Sequence, residues 1–384
     1  MKRYNGKYAE GFRFDKPNQD IVFGERSTLT VDGTTITIES EGIDLVLGGE
    51  VSASEFAVYS IAHDTSISIQ RGGTIDAGVG VLMTGRDQSL TNAGEIVAMG
   101  SGVIVTGSNS HVANHGTITA NAGIVLQAAE DSWTLNGRDG EIQATFGVVF
   151  SPADEGAENR LMNLGSIVSQ AYAFSGGGGI DRVSNRGFID GGIFLGNGDD
   201  TFDDRRGTTT GQVRGSSGND RYIIDDASIR IVEEIGDGND VVISSVNFHL
   251  PDNFEKLILS GKRNLVGHGN GGDNVMVGNA GDNWLNGYDG ENVYLGGRGD
   301  DVLIGGSGKD IYAFGTGDDH DTIRYFQDGT DHLDLSDWKG LSDFDVLLSH
   351  AREKNGNLII SFNGDQLTIE SLTKVQLDAG DFVV

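Results

Sequence analysis

The chain of 384 residues contains no cysteine and only three prolines. Without cysteine there is no disulfide framework and no thiolate for metal or nucleophilic chemistry. Basic residues are scarce: 27 Lys and Arg stand against 57 Asp and Glu, a formal charge of −30. A surface this acidic argues against nucleic acid, whose phosphates call for protein cations. It suits a chain whose compact state needs cations to relieve self-repulsion. No stretch has the length and apolarity of a membrane span, which argues against a membrane-spanning or pore-forming protein. Residues 1–26, MKRYNGKYAEGFRFDKPNQDIVFGER, are charged throughout and lack the apolar run of a signal peptide. The zinc-binding HExxH of metalloproteases is also missing.

Glycine is abundant, with 60 residues, and it is ordered. From Gly269 the chain reads in nines: GNGGDNVMV, GNAGDNWLN, GYDGENVYL, GGRGDDVLI and GGSGKDIYA. After Phe314 and Gly315 break the register, TGDDHDTIR from Thr316 gives a sixth, degenerate unit. Each unit pairs a glycine turn, where positive φ is cheap, with a short strand whose eighth residue is apolar: Met276, Leu285, Tyr294, Leu303, Tyr312 and Ile323. One nonad cannot bury that residue alone, so the units must stack into a parallel coil. With two nonads per turn, loops eighteen residues apart face one edge. The sixth position reads Asn274, Asn283, Asn292, Asp301, Asp310 and Asp321. Carboxylates beside glycine carbonyls are hard oxygen donors suited to Ca²⁺. The best-charged pairing is the loop of Asp301 with that of Asp321, which includes Asp319. Asn292 with Asp310 and Asn283 with Asp301 follow. Gly296, Gly297, Gly299, Gly305, Gly306 and Gly308 supply carbonyls. Isolated turns of similar type, GNGDDTF, GSSGNDRYI and GDGNDVVI, put Asp200, Asp220 and Asp240 in the carboxylate position.

These nonads resemble the RTX family, whose GGxGxDxUx repeats form a Ca²⁺-filled parallel β-roll. The resemblance covers residues 196–384 and implies several calcium ions. The chain departs from the family pattern in the asparagines of the first three nonads, in Asp289 within a turn, and in Asp319 at a glycine position. Residues 325–384, which alternate apolar and polar and end in DFVV, resemble the C-terminal cap of RTX proteins exported by type I secretion. That likeness implies an uncleaved C-terminal signal, the type I apparatus as partner, and a location outside the cell or on its surface. The nonad pattern itself is expected to end after Ile323.

Upstream, Gly-x-Ile or Gly-x-Val recurs from Gly49/Val51 to Gly187/Ile189 at intervals of 21 to 25 residues, and GVL, GVI, GIV, GVV and GIF keep step with it. A period near 22 with several short strands per repeat matches a rung of a right-handed parallel β-helix. Asn92, Asn114, Asn136, Asn163 and Asn185 are expected to stack as a turn ladder. Residues 27–40, STLTVDGTTITIES, read as a strand pair about Asp32-Gly33, and residues 151–158, SPADEGAE, as a projecting loop. The expected all-β chain therefore comprises an N-terminal cap (1–46), a parallel β-helix solenoid (47–195), a transition with isolated turns (196–268), the β-roll (269–324), and a β-rich cap with the secretion region (325–384).

Aligning the rungs on asparagine puts Ser89, His111, Trp133, Arg160 and Arg182 in one outward column, about 4.8 Å apart. His111, Trp133, Arg160 and Arg182 could stack on a sugar and pair with a uronate or sulfate, against the plainer reading of a solvated face. Two functions follow. The first is a non-catalytic extracellular calcium-binding protein, a surface, matrix or adhesion component gated by Ca²⁺ and open to self-assembly. The second is a polysaccharide-active enzyme of lyase or uronate C5-epimerase type, or a glycan-binding module, on the β-helix. No catalytic residue is assigned: His111 and His115 form the only close histidine pair in the β-helix, and an Asp-Pro-His-Glu signature is absent. Non-catalysis is the favoured expectation.

Overall fold

The structure, a computed structural model, describes every residue except 128–129, 152–155, 342 and 384. The chain divides into two compact units: Met1–Asp220 with Ile229–Ile231, and Arg221–Ser228 with Val232–Val384. Both are built almost wholly of short parallel strands, as the glycine repeats require.

In the first unit one sheet runs in register through Ser89, His111, Trp133, Arg160, Arg182 and Thr201. A second sheet stacks Ile75, Ile96, Ile118, Ile142, Ile167 and Ile189, all fully buried. Burying one such side chain contributes about 1.5–3 kcal/mol, so this column is a major source of cohesion. The GV and GI dipeptides beside it have a steric reason: a Cβ at Gly102 would strike Ile118 of the next rung and the Gly123 carbonyl. From Ser89 to Arg182 the register advances by 22 residues except at 133→160, where the step is 27, and the last step, 182→201, is 19. The loop expected at 151–158 lies within that longer rung, but its residues 152–155 fall outside the described residues.

The asparagines form the expected ladder. Asn92 Nδ2 donates to Asn114 Oδ1 (2.8 Å), Asn114 to Asn136 (2.9 Å), Asn136 to Asn163 (2.8 Å) and Asn163 to Asn185 (2.8 Å). Each Oδ1 of Asn92, Asn114 and Asn185 also takes the amide two residues on. The column closes on Asp204, whose Oδ1 accepts from Asn185 Nδ2.

The strand pair expected about Asp32-Gly33 is not formed. Thr28–Val31 pairs in parallel with Glu50–Ser60, and Ile36–Ile38 pairs with the far part of that same strand. The Asp32-Gly33 turn bends one rung of a solenoid instead of reversing a hairpin, because both segments gain two parallel neighbours that a hairpin would forfeit. Tyr4, Tyr8, Phe12, Phe14 and Phe23 interlock in edge and stacked contacts of 4.9–6.4 Å.

In the second unit the two-nonads-per-turn geometry holds. Val275–Val277 pairs with Val293–Leu295 and that with Ile311–Ala313 on one sheet, while Trp284–Asn286 pairs with Val302–Ile304 on the other. The eighth residues stack inward as Met276, Tyr294 and Tyr312, and as Leu285, Leu303 and Ile323. The two-residue break is absorbed at buried Phe314, and the register resumes with Leu303 opposite Ile323. The nonad spacing ends there, but the coil continues. Tyr312 faces Leu333 in His332–Asp334, so residues 325–335 supply another rung with longer spacing. Beyond it, Asp365–Ile369 joins the roll in parallel and Asn357–Phe362 in antiparallel. One short helix, Phe344–His350, has its first turn capped by Asp343, and Phe382–Val383 pairs in parallel with His332–Asp334.

Asn114→Ala would leave the Nδ2 of Asn92 without its sequential acceptor and remove the donor to Asn136. The expected cost is about 1–3 kcal/mol, read as a lower urea midpoint at unchanged slope. A change at solvent-facing Thr91 should leave the midpoint in place.

Candidate metal centre

Within the roll the sixth-position side chains accept two kinds of amide. Asn274, Asn283 and Asp310 accept the amide four residues earlier in their own turn: Asn270→Asn274 (2.8 Å), Asn279→Asn283 (2.6 Å), Gly306→Asp310 (3.2 Å). Asn292, Asp310, Asp301 and Asp321 accept the amide of the equivalent residue one rung earlier: Asn274→Asn292 (3.0 Å), Asn292→Asp310 (2.9 Å), Asn283→Asp301 (2.6 Å) and Asp301→Asp321 (3.0 Å). Asp310 makes both bonds, and the asparagines of the first nonads make one or the other without a charge.

The two columns differ in how they extend. Asp310 passes its amide to Asp331 Oδ1 (3.0 Å), whose Oδ2 takes the Gln327 amide (2.8 Å). Asp331 was overlooked because 21 residues, not 18, separate it from Asp310. At the other end of the same unit, Asp240 donates its amide to Glu255 Oε2 (2.6 Å), and Glu255 had no repeat pattern to mark it. A second, outer ladder is built from the fifth positions. Asp282 donates to Asn264 (2.9 Å), Asp300 to Asp282 (3.1 Å), His320 to Asp300 (3.2 Å) and Glu291 to Asp273 (2.7 Å). Its signal was legible as an acidic fifth residue in each of the first four nonads.

Asp301, Asp310 and Asp321 are all at most 3% exposed. Burial lifts Asp301 to about 7 and Asp321 to about 9, with neighbouring carboxylates adding to the shift. Asp331 is pushed by burial to about 6, and Asp310 is raised by the same cause. Asp301 Oδ2 is buried without a hydrogen-bond partner. Asp318, passed over in favour of Asp319, is among the carboxylates acting on both Asp301 and Asp321. Asp319 is exposed, adopts φ +67° where the other loops use glycine, and takes the Gly299 amide on Oδ2 (3.3 Å). Asp289 projects outward and accepts from Ser307 Oγ. Gly297, Gly299 and Gly308 have the positive φ expected of the turns. A crowded, buried set of carboxylate oxygens, with further carboxylates acting on Asp301 and Asp321, fits a hard divalent ion.

Residues 268–303 match the family of the RTX calcium-binding nonapeptide repeat, in 4 copies, and residues 286–381 match Peptidase M10 serralysin C terminal. The chain carries a calcium-binding RTX β-roll. No curated protein matches it. Among solved structures, the extracellular lipase LipA from Serratia marcescens is similar at 13% identity and TM-score 0.25, over 68% of this chain. The chain spans 44% of that lipase chain, a likeness too slight to bear on the site. The RTX match leaves the first unit untouched, where Asp200 accepts the Asp181 amide (2.7 Å) and Asp220 that of Asp200 (2.8 Å).

The second candidate, the outward column, does assemble in the first unit. Ser89, His111, Trp133, Arg160 and Arg182 lie on consecutive rungs, with His111 stacked on Trp133 at 4.8 Å. Trp133, Leu135, Met162, Arg160, Arg182 and Ser184 line a shallow groove of about 330 Å³. Sequence reading missed Glu158, whose Oε1 accepts from Arg160 (2.7 Å) and Arg182 (2.6 Å). These guanidiniums, Arg182 foremost, hold its carboxyl below the usual range. Among the described residues no helix is long and apolar enough to cross a membrane.

The raised carboxylates fix a pH response. Without calcium, the folded chain keeps protons on Asp301 and Asp321 up to about 7 and about 9, while the unfolded chain loses them near pH ~4. The folded state thus binds more protons across that window, and its stability falls as pH rises. Melting temperature in chelator should drop between pH ~5 and ~8, and calcium at the higher pH should restore it. A melting temperature that climbs with pH in chelator would contradict this electrostatic account.

Proposed function

We propose that the protein is a secreted, non-catalytic calcium-binding β-solenoid, a cell-surface, matrix or adhesion component whose roll folds when calcium arrives. The observation that carries the reading is the buried column of Asp301 and Asp321, joined through its backbone, on which the neighbouring charges that act are carboxylates. Asp301, Asp310, Asp321 and Asp331 would hold several ions together with the glycine carbonyls of their turns, and Asn283 and Asn292 would complete loops of lower charge. Bound calcium supplies the positive charge that ionises these carboxylates in place. Each saturated site adds RT ln(1 + [L]/Kd), about 2.7 kcal/mol at a hundredfold excess over Kd, so a few sites decide whether the roll is folded.

In this reading the chain is little folded where calcium is scarce, leaves through a type I apparatus using residues 325–384, and becomes rigid outside. Residues 1–46, with their aromatic cluster, would cap the β-helix of 47–195, and residues 196–268 would lead into the roll of 269–324. Self-assembly through solenoid ends is a version of the same role.

The groove at Trp133 favours a second reading, a module for an acidic extracellular polysaccharide. A sugar would lie on the indole and its carboxylate would replace Glu158 on Arg160 and Arg182. A lyase or epimerase is less well supported, since Glu158, paired to two guanidiniums, is poorly suited to give up a proton as general acid.

The deciding experiment is a calcium titration followed by far-UV circular dichroism, with magnesium as control. Calcium alone should raise β-structure, and an Asp301→Ala/Asp310→Ala variant should need several-fold more calcium or fail to respond. Identical spectra in chelator and calcium would refute gated folding.

A further inference from the structure

One face of the second unit is out of keeping with a chain of charge −30. Seven parallel strands, from Arg221–Ile224 to His332–Asp334, pair in sequence there and turn alternate residues outward. One outward column is aliphatic through six rungs: Ile223, Ile243, Ile258, Val277, Leu295 and Ala313. Beside it stand Val241, Val275, Val293 and Ile311. The interior is already filled by Tyr222, Val242, Leu257, Met276, Tyr294 and Tyr312, so these outward side chains are not needed for the core. Nor does the repeat demand them, because the roll's other sheet puts His268, Asn286, Thr322 and Arg324 at its outward positions.

Six rung steps of about 4.8 Å make the strip about 29 Å long, and two outward positions with their side chains make it about 14 Å wide. An apolar patch of about 400 Å² on a soluble protein marks an interaction surface. It is also the scale of the apolar core of an interface that buries about 800 Å² per partner, the remainder being a polar rim. The rim here has two signs. Arg221 and Lys256 stand on the first and third strands, and the only acid among the outward positions is Asp334, on the last. At that far end a groove of about 290 Å³, floored by Leu295, Ala313 and Phe314, carries Asp334 and Asp337 at its edge. An apolar floor ending in carboxylates receives the stem and head of a long cationic side chain.

We propose that this face packs on the same face of a second copy, about a two-fold axis parallel to the strands. That axis reverses the order of the rungs, so Arg221 of one copy stands over the His332–Asp334 end of the other. Lys256 then lies opposite Val293 and Leu295, its ammonium directed to the acidic groove. The alternative axis, along the stack, would gather both Arg221 side chains on one rung and both Asp334 side chains on another. Self-repulsion of so acidic a chain is least over a strip free of acids, and a contact that uses the same patch on both copies closes at the dimer.

The dimer deepens the self-assembling form of the proposed role and rests on the roll being folded in calcium. It is tested by sedimentation velocity of the full chain in saturating calcium, with circular dichroism to report folding. Wild type should dimerise. Leu295→Asp should weaken the dimer about tenfold or more by burying an unpaired charge, with an unchanged spectrum because the side chain faces outward. Asn286→Asp adds the same charge to the other sheet and should change nothing. Arg221→Glu should also weaken the dimer, and adding Asp334→Arg should restore it, a rescue that requires a second copy of this chain. The absence of cysteine gives an independent readout. Val277→Cys lies on the central rung, which the axis maps onto itself, so a short bis-maleimide should link two copies across sheets about 10 Å apart. Asn286→Cys should stay unlinked. A folded wild type that remains monomeric in calcium, or a dimer that survives Leu295→Asp and leaves Val277→Cys unlinked, would overturn this face and leave gated folding standing. Identical spectra in chelator and calcium would overturn gating alone, since sedimentation then reads the face without it.

Discussion

Parallel coiling leaves one amide at the start of each strand facing the next turn, where no backbone carbonyl is in place to receive it. This chain meets that demand with a side chain supplied by the following rung. Asn274 gives its amide to Asn292, Asn292 to Asp310, Asp310 to Asp331, and in the other sheet Asn283 to Asp301 and Asp301 to Asp321. An amide buried without an acceptor costs about 1–3 kcal/mol, so the acceptor must be present at every rung. Much of the chain's composition follows from that single bond: a short polar residue at a fixed place, glycine around it for the turn, and an apolar residue two positions on to fill the interior.

The acceptor can be serine, asparagine or aspartate, and the choice separates structure from chemistry. Where the chain uses serine, as at Ser110 and Ser132, the corner is self-sufficient. Aspartate makes the same bond but brings a second oxygen and a negative charge into a buried, like-charged column. Desolvation then favours the protonated acid, as at Asp321 and Asp200, pushed to about 9. In the calcium-gated reading, protons and divalent cations would compete for one set of oxygens, and the medium around the protein would decide between them.

The sequence made the parts that repeat legible. The nonads gave the two-rung coil, its buried column and the sixth-position residues, and the period near 22 gave the rungs and the asparagine ladder. What stayed hidden had broken spacing or bland composition. Asp331 sits 21 residues from its partner, Glu255 has no motif around it, and Asp181 follows four glycines that look like a linker. The Asp32-Gly33 turn misled because a hairpin and a solenoid corner use the same residues, and only the partners of the flanking strands distinguish them. Glu158 was hidden because residues 151–158 read as a projecting loop, whereas it opens the strand Glu158–Asn163 and alternation there puts it on the same outward face as Arg160.

The rung-to-rung bond also has a sense of direction. Along the inner, sixth-position column the donor lies earlier in the chain and the acceptor later, so none of its rungs is complete until the residues after it are in place, whereas the outer ladder runs the other way. The last acceptors come from the C-terminal segment, where Asp365 takes the amides of Gly317 and Asp319 and Asp381 takes that of Gly329. The inner column is a zipper whose slider starts at the C-terminal end: shortening the chain there strips its acceptors from standing rungs, whereas loss of earlier rungs removes only its donors and takes acceptors from the outer ladder instead.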